Sequence, residues 1–366
     1  MTTTMQNSKS GQPPRKAYQN TTPYLLARLR GYTRTAVITL FAITVLTAYL
    51  APFGYMSVTS LKSLDQIGNL QVLPQSERLI EYEGESYPVY LVPQEDGSIV
   101  EWALVNKGRE SSEFVDPANL EAGLIAWEGR WRTLDPAWEL DLQTGNFAEA
   151  WTLVRFPRLL FNTFMIAFLG VIGTVISCTL VAYGFSRFPI PGKSILFMIL
   201  ISTIVLPKQV TLVPTYALFD RIGWTGTWLP LIVPHFFANA YNVFLLRQFF
   251  LTIPKDLDEA AMIDGANPFQ VLIRIIIPQA WPALIAVMIF HFIFAWNDYF
   301  EPLIYLLGRD DLVPISVGIQ QFNFIYGTQV HLIQATALLA LVIPVLLFFF
   351  AQKYFMQGVK FTGVDK

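Results

Sequence analysis

Cysteine is almost missing from this 366-residue chain: the single Cys178 rules out an internal disulfide and any metal site built from cysteines. It falls inside an apolar run, where packing is its expected role. Charge is scarce as well. Asp, Glu, Lys and Arg make up 14% of the residues against 53% hydrophobic and 14% aromatic, a balance that excludes an ordinary soluble domain. Residues 1–34 contain no acidic residue, only the six basic ones Lys9, Arg15, Lys16, Arg28, Arg30 and Arg34. A cleavable signal peptide is not expected, because the first apolar run starts about 35 residues in and exceeds the usual ~7–15 residues. No long internal repeat is evident. A phosphate-binding loop is also lacking: Gly192-Lys193-Ser194 echoes the end of one, but the first glycine it requires falls at Arg187, and no strand precedes it.

What the chain has is apolar length. Crossing a ~30 Å hydrocarbon core takes about 20 helical residues. Charge-free runs of that order lie at 35–61, 159–186, 227–246, 275–297 and 332–352, and a sixth at 194–219 is broken only by Lys208. The fold class expected is an α-helical integral membrane protein with six transmembrane helices. Prolines 207, 214, 230, 234 and 344 lie in these runs, where they kink helices around a cavity or simply against their neighbours.

Basic residues flanking short loops mark the cytoplasmic side. With six spans, the N-terminal tail, Arg187, Lys193, Arg247, Lys255, Arg274, Lys353, Lys360 and Lys366 share one side, fourteen basic residues in all, while the short loops opposite hold only Arg221 and Arg309. Both termini are therefore expected in the cytoplasm. The organisation reads as a basic cytoplasmic tail at 1–34, a first transmembrane helix at 35–61, an acidic extracytoplasmic insert at 62–156, a core with five transmembrane helices at 157–356 and a cytoplasmic tail at 357–366. The polar stretch 1–22, with Pro13-Pro14, is expected to be disordered.

The insert differs from everything around it. Between 62 and 154 it carries 17 acidic residues against six basic. Leu79–Glu83, Tyr87–Val92 and Ser98–Val105 read as short strands separated by Gly, Pro and Asp turns, so a small, mainly β unit is expected. Its tryptophans, Trp102, Trp127, Trp131, Trp138 and Trp151, offer faces on which sugars stack. A unit of under 100 residues also needs such side chains for its core, and that is the reading preferred.

Among the cytoplasmic segments the loop 254–270 stands out. Pro254 opens it, Asp256, Asp258 and Glu259 put negative charge in a first helical turn, and Gly265 can end the helix in the left-handed conformation. A helix of about ten residues lying along the membrane is expected. Ala260 and Ala261 allow close approach of a partner, and Asp264 can hydrogen-bond the turn. By itself this is a capped surface loop.

The full pattern is more specific. Glu259-Ala260-Ala261-Met262-Ile263-Asp264-Gly265-Ala266, then eleven residues, then Pro278 and Pro282, resembles the cytoplasmic loop of ABC importer permeases. From Asn146 to Lys366 further segments are similar to carbohydrate-uptake members: Tyr183–Phe188, Pro207–Pro214, Phe244–Phe250, Trp296–Tyr299 with Pro302-Leu303, and Gly358-Val359-Lys360. The nearest type is the second permease subunit of maltose-like systems.

The resemblance implies a type I ABC importer permease fold and a transport component rather than an enzyme, with no catalytic or metal-ligating residue. Its implied partners are a second permease subunit, an ATP-binding cassette ATPase dimer, an extracytoplasmic solute-binding protein and the lipid membrane, with no nucleic acid. It implies no cofactor of this chain, ATP being bound by a separate subunit. Glu259, Ala260, Ala261, Asp264, Gly265 and Ala266 would couple to the ATPase.

Asn297, Asp298 and Glu301 are candidates for the translocation pathway, since polar groups at membrane depth are costly unless they face a cavity or partner; they equally fit the membrane interface beside Trp296 and Tyr299. Lys208 and Glu301 depart from the family pattern. Counting ~1.5 Å per residue along continuous helices puts Lys208 about 21 Å outward from Ser194 and Glu301 about 27 Å outward from Ala283, so Lys208 is expected to pair with Glu301 or Asp298. Gln320, Gln321, Asn323 and Tyr326 occupy the segment that enters the binding protein in maltose-type relatives. Other readings are a permease for a non-sugar solute, an ATP-independent secondary transporter or channel, which has no use for such a loop, and an anchored receptor, which leaves five spans unexplained.

Overall fold

The computed structural model describes residues 21–68, 71–94, 96–324 and 328–360, apart from the side chains of 21–29, 208–209, 324 and 353–360. The chain divides between Tyr55 and Met56 into two units. The first consists of most of a helix, Thr21–Ser60. Its apolar part, Arg30–Ser60, is long and apolar enough to cross a bilayer, as the run at 35–61 leads one to expect.

In the second unit, three helices are long and apolar enough to cross on their own: Phe156–Arg187, Leu229–Thr252 and Val330–Gln352. Two further runs are bent. Lys193–Val205 meets Val210–Arg221 at 98°, and Pro268–Gln279 meets Trp281–Asn297 at 81°. Among the described residues this gives four spanning helices, or six if each bent pair makes one crossing.

The runs at 194–219 and 275–297, each read from the sequence as one span, are sharply bent, and the local chemistry explains both breaks. Pro207 has no N–H to donate and pushes Leu206 out of helical conformation, to φ −71° and ψ 118°. In the second run a π-helical turn at Leu272–Ile276 precedes Pro278 and Pro282, so the hydrogen-bond ladder changes register and then loses two donors. The depth argument for Lys208 and Glu301 rested on continuous helices and fails with them. The helix before Glu301 also stops, at Asn297.

Two apolar cores hold the bundle. One joins Leu159 and Ile166 to Phe292, Trp296, Tyr305, Phe322 and Leu332. The other joins Cys178, Ala182 and Tyr183 to Val243, Leu246, Phe250, Val271, Leu284 and Val287, and Cys178 packs there fully buried. The Phe156–Arg187 helix contributes to both. At 32 residues it is about 48 Å long, so what contacts its two ends is far apart.

In sequence the mainly β unit follows the first helix and precedes the bundle. Its strands are β1 (Gln75–Glu77), β2 (Leu79–Tyr82), β3 (Glu85–Pro93), β4 (Ile99–Asn106), β5 (Ser111–Val115), β6 (Ile125–Glu128), β7 (Asp135–Pro136) and β8 (Trp138–Leu140). They pair antiparallel in the order β2-β3-β4-β5-β6, with β7 on β3, and β1 pairs β8 separately. The three strands read from the sequence are β2, β3 and β4. Trp102 and Trp127 pack around the fully buried Phe114, Trp127 edge-on with ring centres 6.0 Å apart. That is the core role preferred over an exposed sugar platform. Entry and exit of the unit are pinned together: Asn146 donates to the Ser60 and Lys62 carbonyls, both at 2.8 Å, and Gln66 donates to the Asp141 carboxylate at 3.1 Å.

Candidate coupling loop and pathway

The loop after the Leu229–Thr252 span forms a helix at Asp256–Ile263, eight residues where about ten were expected. Asp256, Asp258 and Glu259 occupy its first turn, where carboxylates complement the helix dipole. It ends as the sequence dictates. Gly265 adopts φ +88°, its N–H donates to the Met262 carbonyl and that of Ala266 to the Ala261 carbonyl, the paired bonds of a Schellman ending. These backbone bonds make the turn. Among the described residues the Asp264 side chain makes no hydrogen bond to it, contrary to expectation.

Glu259, Ala260, Asp264 and Gly265 are exposed, and Ala261 and Ala266 half-buried. Four apolar side chains stand out beside them: Leu257, Met262, Ile263 and Phe269, with Ile263 86% exposed. Sequence reasoning missed these four. Their spacing at the motif's own helix was the available signal, because a capped helix on the membrane face has no reason to expose so much apolar surface without a partner.

A buried ion pair fixes this helix to the bundle. Arg187 Nε lies 2.6 Å from Asp258 Oδ2, the two side chains being only 7% and 6% exposed. Arg187 Nη2 also donates to the Ile253 carbonyl at 2.9 Å. Burial pushes the Asp258 carboxyl above the usual aspartate range, with the Arg187 charge pulling it back. On the other side of the glycine, Asn267 and Gln270 form a reciprocal cap that starts the next helix, and the Tyr183 hydroxyl donates to the Pro268 carbonyl at 3.1 Å. The loop is therefore clamped at both flanks to the end of the 156–187 helix. From the sequence, Arg187 was only a topology-setting charge.

At the other end of that helix, Asn162 donates to the carbonyls of Asp311 and Val313, and Thr163 Oγ1 accepts from the Ile315 N–H at 2.8 Å. The 309–323 segment is thereby held near the insert's exit. Within it Gln320 and Asn323 are half-buried and hydrogen-bonded to each other at 2.8 Å, and Gln321 is also half-buried. Tyr326 lies outside the described residues.

Asp298 and Glu301 come together. They line a cavity of about 390 Å³ with Thr211, Thr215, Phe294 and Tyr305. Ser316 donates to the Asp298 carbonyl at 2.6 Å, tying the cavity to the 309–323 segment. Asn297 is not brought in: it is exposed and its side chain donates back to the Ile293 carbonyl. The Lys208 side chain lies outside the described residues, but its helix, Lys208–Arg221, presents Thr211 and Thr215 to the cavity.

A second cavity, of about 510 Å³, is lined by His235, Asn239, Tyr241, Asn242, Phe290, His291 and Phe294. Phe294 thus belongs to both. The His235 and His291 rings meet edge-on at 4.4 Å, and His291 Nδ1 lies 3.2 Å from Thr174 Oγ1. Glycine makes room for them. A Cβ on Gly170 would fall 2.7 Å from His291 Nε2, and one on Gly173 2.7 Å from the Phe236 ring. Nothing in the sequence singled out these histidines, because no local pattern brings residues 170, 235 and 291 together. Among the described residues no group of three or more His, Cys, Asp or Glu could hold a metal ion.

With this geometry, comparison with known proteins is informative. The family described as "binding-protein-dependent transport system inner membrane component" matches residues 155–361. The osmoprotective compounds uptake permease of Synechocystis sp. is 29% identical over 59% of this chain and 72% of its own length. The sn-glycerol-3-phosphate transport system permease of Rhizobium meliloti is 33% identical over 56% and 73%, and that organism's alpha-glucoside transport system permease is 26% identical over 62% and 60%. A solved bacterial ABC transporter chain, from a system described as importing the acidic polysaccharide alginate, superposes over 90% of this chain and 97% of its own at a TM-score of 0.63 and 19% identity, which is a likeness of fold.

Proposed function

Since the chain belongs to the family of binding-protein-dependent transport inner membrane components, we propose that it is the permease subunit of an importer for a sugar or a sugar-like solute, lining half of a pore with a second permease. It is a transport component, not an enzyme. Each bent helix pair makes one crossing, which gives six spans and puts both termini in the cytoplasm. The insert then faces outward, at the far end of the 156–187 helix from Arg187 and the 254–270 loop.

The observation that carries this reading is the clamped loop helix. Glu259, Ala260, Ala261, Asp264, Gly265 and Ala266 form a partner surface flanked by exposed Leu257, Met262, Ile263 and Phe269. Held to the bundle through Arg187 and Asp258, it transmits motion as a rigid lever. Closure of an ATPase dimer, which binds the ATP, would pull this helix and rock the bundle between two states. No cofactor of this chain is needed for that step.

The solute path runs past Asp298 and Glu301, then past Phe294, to the histidine-lined cavity at mid-depth. Gln320, Gln321, Asn323 and Tyr326 meet the solute-binding protein at the outer end. A non-sugar solute is the second reading, favoured by similarity to an osmoprotectant permease.

The direct test is purification from membranes with a tag on this chain. A second permease and an ATPase should accompany it, and uptake of a labelled oligosaccharide should require all three. Recovery of this chain alone from membranes competent for uptake would falsify the assignment. Two further results are expected in the same assay. Gly170→Val should fill the space beside His291 and His235 and lower uptake at least tenfold with insertion unchanged. Phe294→Ala should join the two cavities and alter the transport KM more than expression; equal kinetics for variant and wild type would remove Phe294 from the path.

A further inference from the structure

Between residues 62 and 154 the insert has six basic residues among its 17 acidic ones, and four of them converge. Lys107, Arg109, Arg130 and Arg132 line one recess of about 770 Å³, with Trp131 and Glu110. The other two are engaged elsewhere: Arg78 pairs with Glu101, and Lys62 donates to the Gln71 carbonyl. None of the four is in an ion pair among the described residues, although acidic residues outnumber basic ones in the insert.

The recess is built rather than accidental. It forms between the β4–β5 connection and the segment after β6, which are joined by the Gly129 N–H donating to the Glu110 carbonyl at 2.7 Å. A tight turn follows, in which the Thr133 N–H and hydroxyl both donate to the Arg130 carbonyl, at 2.9 and 2.8 Å. Trp131 anchors that turn by packing edge-on to Tyr90 at 6.2 Å. It then orients two of the cations, with Lys107 Nζ 5.4 Å and the Arg132 guanidinium 5.3 Å from its ring centre. Four cations share the recess with the single carboxylate of Glu110; holding the excess of like charge together costs energy, and an anion entering the recess relieves it.

We infer that this recess on the insert is a binding site for a small polyhydroxylated anion, an acidic sugar carrying a carboxylate or phosphate. Arginine forks take such groups with two parallel hydrogen bonds. The Glu110 carboxylate is an acceptor for sugar hydroxyls, which an anion-only site would not include. The volume lies in the range of small-molecule sites, about 300–1,000 Å³. An acidic protein face fits less well. It would have to cover about 800 Å² of a unit with 17 acidic against six basic residues between 62 and 154, whereas a small anion meets the residues of the recess alone.

The inference rests on the insert's geometry and holds whichever solute crosses the pore. The test is therefore binding, not uptake. The full chain in lipid nanodiscs is titrated calorimetrically with trigalacturonate, glucose 6-phosphate, neutral maltotriose and a polyglutamate peptide. One or both acidic sugars should bind with a Kd below about 1 mM, weaken with added salt, and lose at least tenfold in Arg130→Glu/Arg132→Glu; which one binds separates carboxylate from phosphate. Lys107→Gln/Arg109→Gln provides a milder second variant should the first fail to fold. Equal affinity for maltotriose, unchanged affinity in a folded variant, or binding of polyglutamate alone would overturn the assignment.

Discussion

Gly265→Val should abolish uptake while leaving the chain inserted and at normal abundance. The position has φ +88° and nothing within 4 Å of where a Cβ would sit, so the substitution creates no clash. Its whole effect is backbone strain, about 1–2 kcal/mol for an ordinary residue and more for a β-branched one. That is enough to undo the Schellman ending and swing Glu259 and its neighbours out of line. Gly265→Asn is the control, because asparagine tolerates the left-handed region, and it should retain most uptake. Glu259→Arg complements these. The side chain is exposed on the loop helix, so reversal leaves the fold alone and, on the proposed docking to an ATPase, should still reduce uptake more than tenfold by presenting the wrong charge. Normal uptake in both Gly265→Val and Glu259→Arg would sink the lever mechanism.

The second large effect is an asymmetry at Arg187 and Asp258. Removing one partner of a buried ion pair costs about 3–5 kcal/mol, because the other charge is stranded. The two losses are unequal. A stranded Asp258 can take up a proton, and burial already pushes its carboxyl in that direction, whereas a stranded guanidinium cannot lose one. Asp258→Ala should therefore destabilise more than Arg187→Ala, and the double variant Arg187→Met/Asp258→Leu should recover stability beyond either. Thermal unfolding of the detergent-solubilised chain measures all three. Uptake should stay low in the double variant even when stability returns, since an apolar contact lacks the bond to Ile253. Additive losses would show that the pair does not act as a unit.

Much of this was readable along the chain. The helix around Glu259 needs only Pro254, three early carboxylates and a glycine at 265, all local signals. The strands β2 to β4 followed from alternation between turn residues. Where the sequence reading failed, it failed at places governed by partners. It used 194–219 and 275–297 as continuous rulers of depth for Lys208 and Glu301, although Pro207, Pro278 and Pro282 were visible, because apolar length reports burial and not direction. It treated Asn297 and Asp298 alike, whereas Asn297 ends its helix with its side chain bonded back to Ile293 and Asp298, extended beyond that end, lines the cavity.

By itself the sequence determined what depends on composition and near neighbours: a membrane protein, a capped loop helix, an acidic β insert and the family. Tertiary structure alone decided which distant groups meet. Arg187 and Asp258 are 71 residues apart, and His235 and His291 are 56 apart, and Phe294 came to wall two cavities at once. Helical periodicity fixes which way a side chain faces on its own helix. What lies across from it depends on bends and packing that the local pattern does not encode.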